Sequence, residues 1–395
     1  MNRNAFPLLA IVFLLAGCSQ APADSPEAAD TPQPPAGKFQ ACGDRTELFS
    51  VAPTDMDKIN TMTPVGMMTP PDHVFPAPHM YFFPLDDLNP EDIEIPVYAS
   101  ADMVLTQIGL RHYNKIGEKA NYIDYTLVFS PCNEFDLYFH HVRSLTYPPF
   151  AEAAERILEK CGFSAERNED YCSGRVNIPI IAGEQIGTAV DIKAGVWGFD
   201  LGARDYRIPE GRSALLSSER HCSRERNVFD RCYTVCPFDY FTEDIRSGLE
   251  FSNGKFDIPG LACGGNLFFD IKGSAQGYWF EKGPGDKWGE EKNIFLGPNN
   301  LNPAVRAFSI RTAVPGVQAG LHVFSPAASG LVNRDFAEVS NDGNIYCYDA
   351  AVEYQERDGK AILIQLNNET LRIGPHSGNC GEGPWGFEEY AEFER

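Results

Sequence analysis

Three stretches with alternating apolar and polar residues decide the fold: IPVYASADMVLTQIG at residues 95–109, YIDYTLVFS at residues 122–130 and FDLYFHHVRSL at residues 135–145. Alternation with a period of two predicts β-strands that bury one face. Short apolar runs separated by frequent Gly and Pro continue through most of the chain. We therefore predict a mainly β protein with few helices.

Two helices are predicted within this β-rich background. The first covers about residues 150–161, with Pro149 at its start and Gly162 as a stop signal. The second lies near residues 242–249, where Thr242 is a suitable N-cap and acidic residues favour the positive end of the helix.

The C-terminal part, residues 255–395, has the pattern of a β-rich domain. Residues 336–373 contain two Asp-Gly turns, at residues 341–344 and 357–360, flanked by apolar alternation. This arrangement predicts a β-meander. A cysteine-rich segment with short helices, residues 206–254, is expected to connect this domain to the preceding one.

The first eighteen residues, MNRNAFPLLAIVFLLAGC, resemble the signal peptide of a bacterial lipoprotein, with a lipobox at residues 15–18. The apolar run is too short to span a bilayer. We expect Cys18 to carry the lipid, including palmitate, and the alternative is an ordinary cleaved signal with a free Cys18. Ser19 indicates an outer membrane lipoprotein that faces the periplasm or the cell surface. Residues 19–41, rich in Pro and Ala, predict a disordered tether.

Ten of the 11 cysteines remain after Cys18, an even number in an oxidising compartment, so we expect disulfide bonds. The candidates are Cys161, Cys172, Cys347, Cys380, Cys236 and Cys263. Local pairing would join Cys161 to Cys172 and Cys347 to Cys380, while the complete connectivity stays open. A thiolate zinc site at Cys232-x3-Cys236 is the alternative, but it lacks a second matching pair.

The formal net charge of −22 limits the classes of partner. Nucleic acids and anionic membrane surfaces would both repel so acidic a chain. We therefore predict no nucleic-acid partner and a membrane contact made only through the lipid anchor.

The three opening stretches, followed by PIIAGEQIGTAV at residues 179–190, resemble the lysostaphin-type zinc peptidases, whose fold is the duplicated hybrid motif. The matching elements are the Pro-Val-Tyr-Ala strand at residues 96–99, the strand that ends in His141-Val142, and the turn at residues 181–187. The resemblance covers about a third of the chain. It implies a lysostaphin-like β domain over residues 42–205, with its core at about residues 72–205. A small helical insertion at residues 147–177 departs from the compact members of the family.

Compared with this family, the chain lacks most of the active-site residues. The family binds zinc through H-x-x-x-D and through the second His of H-x-H. His79 stands at the first ligand position, but Phe83 replaces the Asp, and the strand expected at residues 196–202 has no histidine. A degenerate peptidase is therefore implied, with no cofactor expected.

One alternative is a rebuilt zinc site, for which the candidate ligands are His73, His79, and His140 or His141, with Asp72 or Asp200 as further donors. His140 and His141 are adjacent in a predicted strand, so only one of them is expected to point into the groove. The matched motif favours His141, which is the candidate catalytic residue, and a slip of one residue would select His140. The competing interpretation is that these histidines are packing residues in a Pro-rich loop.

Three functions follow as hypotheses. The first is a lipid-anchored binding or scaffolding module near the cell wall, with peptidoglycan or a cell-wall hydrolase as its partner and no catalysis. The second is a zinc metalloendopeptidase of peptidoglycan with a rearranged ligand set. The third places a ligand-binding module in the C-terminal β region.

Overall fold

The computed structural model describes residues 40–84, 94–164, 167–208, 231–251, 267–283, 290–353, 360–381 and 383–395. Within these ranges the chain forms two antiparallel β-sheets and two α-helices, so the mainly β prediction is confirmed. The strands of the first sheet are β1 (Ile59–Thr63), β2 (Met80–Pro84), β3 (Ile95–Tyr98), β4 (Met103–Ile116), β5 (Lys119–Cys132), β6 (Phe135–Leu145), β7 (Glu169–Ile180), β8 (Gln185–Ala189), β9 (Phe199–Asp205) and β10 (Thr234–Val235).

The first sheet has the strand order β1-β2-β9-β6-β5-β4-β7, while β10 pairs with β9 and β8 joins β3 to β6. The three stretches quoted first supply β3 to β6. Their apolar positions, such as Leu127, Leu137 and Phe139, are fully buried in one core. The alternate positions lie on the opposite face of the sheet, because successive side chains of a strand point to opposite sides.

Helix α1 (Pro148–Leu158) packs against this sheet through Phe150, Ala153 and Ala154. It begins and ends earlier than the predicted range of residues 150–161. Pro148 already fits the first turn, where its missing N–H is not needed. Helix α2 (Glu243–Phe251) lies within one or two residues of its prediction at residues 242–249.

The second sheet contains β11 (Gly277–Glu281), β12 (Ile294–Pro298), β13 (Arg306–Ile310), β14 (Gly320–Phe324), β15 (Tyr346–Tyr348), β16 (Ala351–Val352), β17 (Lys360–Asn367), β18 (Thr370–Ser377) and β19 (Ala391–Glu394). Their order is β15-β17-β18-β19-β11-β12-β13-β14-β16.

The predicted meander over residues 336–373 is only partly correct. Within that range, β17 and β18 form a hairpin around Asn368, which adopts a left-handed conformation. The short strands β15 and β16 do not continue the hairpin in sequence order. Strand β15 pairs with β17, and β16 pairs with β14. Residues 357–359 of the second expected turn lie outside the described residues.

Three described disulfides reinforce the two sheets. The predicted local pairs Cys161–Cys172 and Cys347–Cys380 are both confirmed. A third bridge, Cys42–Cys132, joins residues 90 positions apart, a separation that gave no sequence signal. Cys236 is also disulfide-bonded, whereas the other candidate of that group, Cys263, lies outside the described residues.

The signal peptide, Cys18 and the tether up to residue 39 lie outside the described residues. Within the parts that are described, no helix has the length and apolar character required to cross a membrane.

Candidate histidine and carboxylate site

Adjacent strands place polar residues side by side on the face of the first sheet that points away from its core. Tyr81 of β2 pairs with Asp200 of β9, and Asp200 pairs in turn with His140 of β6. The next residue in β9, Phe199, is fully buried in the core. Strand alternation therefore sorts the apolar side chains into the core and gathers the three polar ones into one row.

A bulge in β6 adds a second histidine to this row. The pairing of β5 with β6 shifts register between Tyr125 and Leu127, opposite His140 and His141. At this point His141 has a φ of 61°, a left-handed conformation that is uncommon outside glycine. The expectation that only one adjacent histidine would face the groove was wrong, because the bulge interrupts the strict alternation on which it depended.

A second strained residue lies beside this bulge. Val190 has a φ of 73° and directly follows Ala189, the partner of Val142 in the pairing of β6 with β8. A left-handed conformation costs a β-branched residue about 1–2 kcal/mol. Strain of this kind is concentrated at functional sites, where the surrounding fold compensates for it.

Asp200 is the centre of the resulting cluster. Its Oδ2 atom lies 3.2 Å from Nδ1 of His79 and 3.6 Å from Nε2 of His141. The other ring nitrogen of His141, Nδ1, lies 2.7 Å from Oδ2 of Asp124, and this hydrogen bond orients the imidazole ring. The carboxylates are almost fully buried, whereas the side chain of His141 is 25% exposed, so His141 connects the cluster to solvent.

Two further histidines complete the cluster. The rings of His79 and His140 are nearly parallel, with their centroids 5.6 Å apart. His73 meets His79 edge to face at 5.2 Å, and both lie close to the ring of Tyr81. We refer to His73, His79, His140, His141, Asp124 and Asp200 as the histidine cluster.

Burial disfavours charge in this cluster. It lowers the pKa of His79 and of His140 well below the ordinary value of 6.5, and the neighbouring histidines add to the effect. Burial also lowers the pKa of His73, although Glu290 opposes the change. The pKa of Asp200 is raised to about 7, chiefly by burial. Near neutral pH these three imidazoles are therefore uncharged beside a carboxyl group that exchanges its proton.

Several polar atoms of the cluster are buried without satisfying their hydrogen-bonding capacity. The Nδ1 atom of His79, the Nε2 atom of His140 and the Oδ1 atoms of Asp124 and Asp200 make no hydrogen bond among the described residues. The 3.2 Å approach of His79 to Asp200 thus has the distance of an ion pair without the geometry of a hydrogen bond. Native proteins pair most buried polar atoms, so four exceptions at one place need an explanation.

The structure gathers all three predicted metal candidates, His73, His79 and His141, into this one cluster, together with Asp200. Asp72 is half-buried in the same loop as His73. Asp124 was missed, because nothing in the sequence of β5 indicates which residue of β6 it will meet. Among the described residues, however, no three His, Cys, Asp or Glu side chains are placed so that they could hold a metal ion together.

Two aromatic residues near the start of β9 differ from each other. Phe199, the first residue of the strand, is fully buried, whereas Trp197, two residues before it, is 43% exposed and does not fill the core. The side chain that replaces the expected Asp ligand, Phe83, lies in β2 with its ring 6.0 Å from that of Tyr81.

The chain matches no protein-family model and no curated protein sequence. The likeness to lysostaphin-type peptidases therefore rests on the motifs quoted above and remains a hypothesis.

Proposed function

We propose that this protein is a lipid-anchored component of the cell envelope that binds a polar ligand near the cell wall through the histidine cluster, without cleaving it. The observation that supports binding is the set of four buried polar atoms that lack hydrogen bonds. A ligand with hydroxyl, amide or carboxyl groups could supply the missing partners. Such a ligand would then be favoured over an apolar one, because unsatisfied buried groups are costly.

The chemistry of the cell wall fits this requirement. Peptidoglycan presents amides and hydroxyls, and an inserted loop of a cell-wall hydrolase would present backbone amides. Three uncharged imidazoles and a carboxyl group with a pKa of about 7 can donate and accept hydrogen bonds without a fixed charge. The partially exposed His141 gives the ligand access to the buried groups.

Two features favour binding over zinc-dependent cleavage. Phe83 stands where the resemblance requires an Asp ligand, and the described side chains do not form a set of three metal donors. A zinc ion would require the cluster to rearrange.

The test is cosedimentation of the full-length, detergent-solubilised lipoprotein with purified peptidoglycan sacculi. We expect the parent to bind, and His79→Ala and His140→Ala each to weaken binding about fivefold or more, because each removes a hydrogen-bonding group worth about 1–3 kcal/mol. His112→Ala is the matched control, since His112 packs on Phe163 outside the cluster. Equal binding by all four proteins would overturn the assignment of the site.

A zinc metallopeptidase with a rebuilt ligand set is the second candidate. One observation favours it: His79 and His141 both approach the same oxygen of Asp200, and His and Asp are ordinary zinc ligands. Stoichiometric zinc in freshly purified protein, together with release of soluble muropeptides that is lost in His79→Ala and His141→Ala, would establish it. The same result would refute the non-catalytic proposal.

A further inference from the structure

The loop that carries two histidines of the cluster is held between the two sheets. This loop, residues 64–79, inserts Val74 and Phe75 into a core that includes Tyr278, Phe280 and Phe295 of the second sheet. The rings of Phe75 and Tyr278 lie 5.0 Å apart, edge to face. The residues that flank this insertion, His73 and His79, contact each other and the first sheet.

A buried ion pair fixes the backbone of the loop at this insertion. Glu290, just before β12, accepts a hydrogen bond from the backbone N–H of Phe75 at 2.9 Å. Its other carboxylate oxygen lies 2.6 Å from Nη2 of Arg231, and Nε of Arg231 donates to the carbonyl of Pro76 at 3.3 Å. The side chains of both ionic residues are less than 10% exposed.

Two further bonds secure the ends of the loop. Nδ2 of Asn300 donates to the carbonyl of Gly66 at 2.5 Å, and the hydroxyl of Tyr138 donates to the carbonyl of Pro78 at 2.6 Å. Asn300 lies in the connection between β12 and β13 of the second sheet, and Tyr138 lies in β6, next to the histidine cluster. Thus the middle and the start of the loop depend on residues that follow it by more than 200 positions.

We propose that Glu290 is a positioning residue for the histidine cluster: by binding Phe75 and Arg231 it sets the bend of the loop that places His79 against Asp200 and His73 against His79. This inference rests on the proposed function of the cluster as a binding site. It also gives the C-terminal β region a role other than that of an independent ligand-binding module, because that region completes the site in the first sheet.

An ion pair is a poor choice if stability is the only requirement. Two buried charges lose their hydration, and replacement of such a pair by apolar side chains of similar size is often neutral or stabilising. What an apolar pair cannot provide is the directed set of hydrogen bonds to Phe75 and Pro76. A positioning role accounts for these hydrogen bonds. It also predicts that loss of the ion pair changes the histidine cluster more than it changes the stability of the protein.

The experiment compares Glu290→Gln and the double variant Arg231→Met/Glu290→Leu with the control Glu291→Gln, whose side chain is exposed on the next residue. The readouts are the NMR signals and pKa values of the His73 and His79 imidazoles in the full-length protein, its unfolding midpoint and its binding to sacculi. We expect the double variant to stay folded, to shift both imidazole signals and to bind about tenfold more weakly or worse.

Each variant has its own discriminating result. Glu290→Gln removes the carboxylate that opposes the lowering of the His73 pKa, so the pKa of His73 should fall whether or not the loop moves. The signal of His79 therefore reports the position of the loop, since burial and other residues set the pKa of His79. An unchanged His79 signal in Glu290→Gln would overturn the positioning role, including the case in which the double variant does not fold. If the parent does not bind sacculi, the proposed function fails, while the imidazole signals still decide the role of Glu290.

Discussion

Substitution of Asp200 by Asn should stabilise the protein, and by an amount that grows with pH. Asp200 is fully buried, and its pKa is raised from 3.8 to about 7. Between these two values the folded protein keeps a proton that the unfolded chain has lost, so stability falls as the pH rises through this window. At about 1.36 kcal/mol per pH unit, the difference between about 7 and 3.8 corresponds to ~4 kcal/mol of stability lost above pH 7.

Asn has nearly the shape of a protonated Asp and cannot lose a proton. We therefore expect Asp200→Asn to match the parent in stability near pH 4 and to exceed it by up to about 4 kcal/mol at pH 8. His79 and His140 affect the stability of both proteins at acidic pH. Because their pKa values are lowered in the folded protein, the stability present above pH 6.5 is lost as the pH falls below that value.

The assay is urea-induced unfolding at pH 5, 6, 7 and 8, with exposed Asp44→Asn as the control, for which we expect a change within about 0.5 kcal/mol. A gap between parent and variant that does not widen with pH would refute this account of Asp200. Bound zinc would reverse the sign, because removal of a ligand would destabilise the variant at every pH. A chelator would then remove the zinc and restore the stabilisation of the variant that we expect for the metal-free protein.

Three further predictions concern single positions. His141→Gly should be about 1 kcal/mol more stable than His141→Ala in thermal unfolding, because both remove the imidazole but only Gly accepts a φ of 61° without strain; equal stability would contradict the strain at the bulge. Gly202→Ala should lower the free energy of unfolding by about 1–3 kcal/mol, since its methyl group would lie 2.0 Å from a ring atom of buried Tyr138. Gly162→Ala is the control, because its methyl group would meet no atom within 4 Å. Cys18→Ala should abolish incorporation of labelled palmitate in cells, and unchanged labelling would exclude Cys18 as the lipid attachment site.

The strands could be predicted from the sequence, because the alternation of apolar and polar residues that identifies a strand involves only residues close together in the chain. The apolar positions of residues 122–130 and 135–145 have the period that a half-buried strand requires, and they fill the core as expected. The local disulfide Cys161–Cys172 was predictable for the same reason. In contrast, Cys42–Cys132 spans 90 residues and depends on the completed sheet.

The site was predictable only in part. His73, His79 and His141 stood out because His is uncommon in this chain and because the motif resemblance pointed to them. The bulge that turns His141 toward Asp200 depends on the register between β5 and β6, which alternation alone does not contain. Glu290 could not be found, since it meets Phe75 across 215 positions of sequence.

The bridge between Cys42 and Cys132 determines how far an anchor at Cys18 would let the protein travel. It fastens Cys42 to the end of β5, so the connection to the lipid would be the 23 residues, 19–41, that lie between Cys18 and Cys42. A fully extended chain of that length reaches at most about 85 Å. If Cys18 carries the lipid as proposed, this one bridge fixes the point at which the tether ends, and with it the greatest distance from the membrane at which the histidine cluster could meet a ligand.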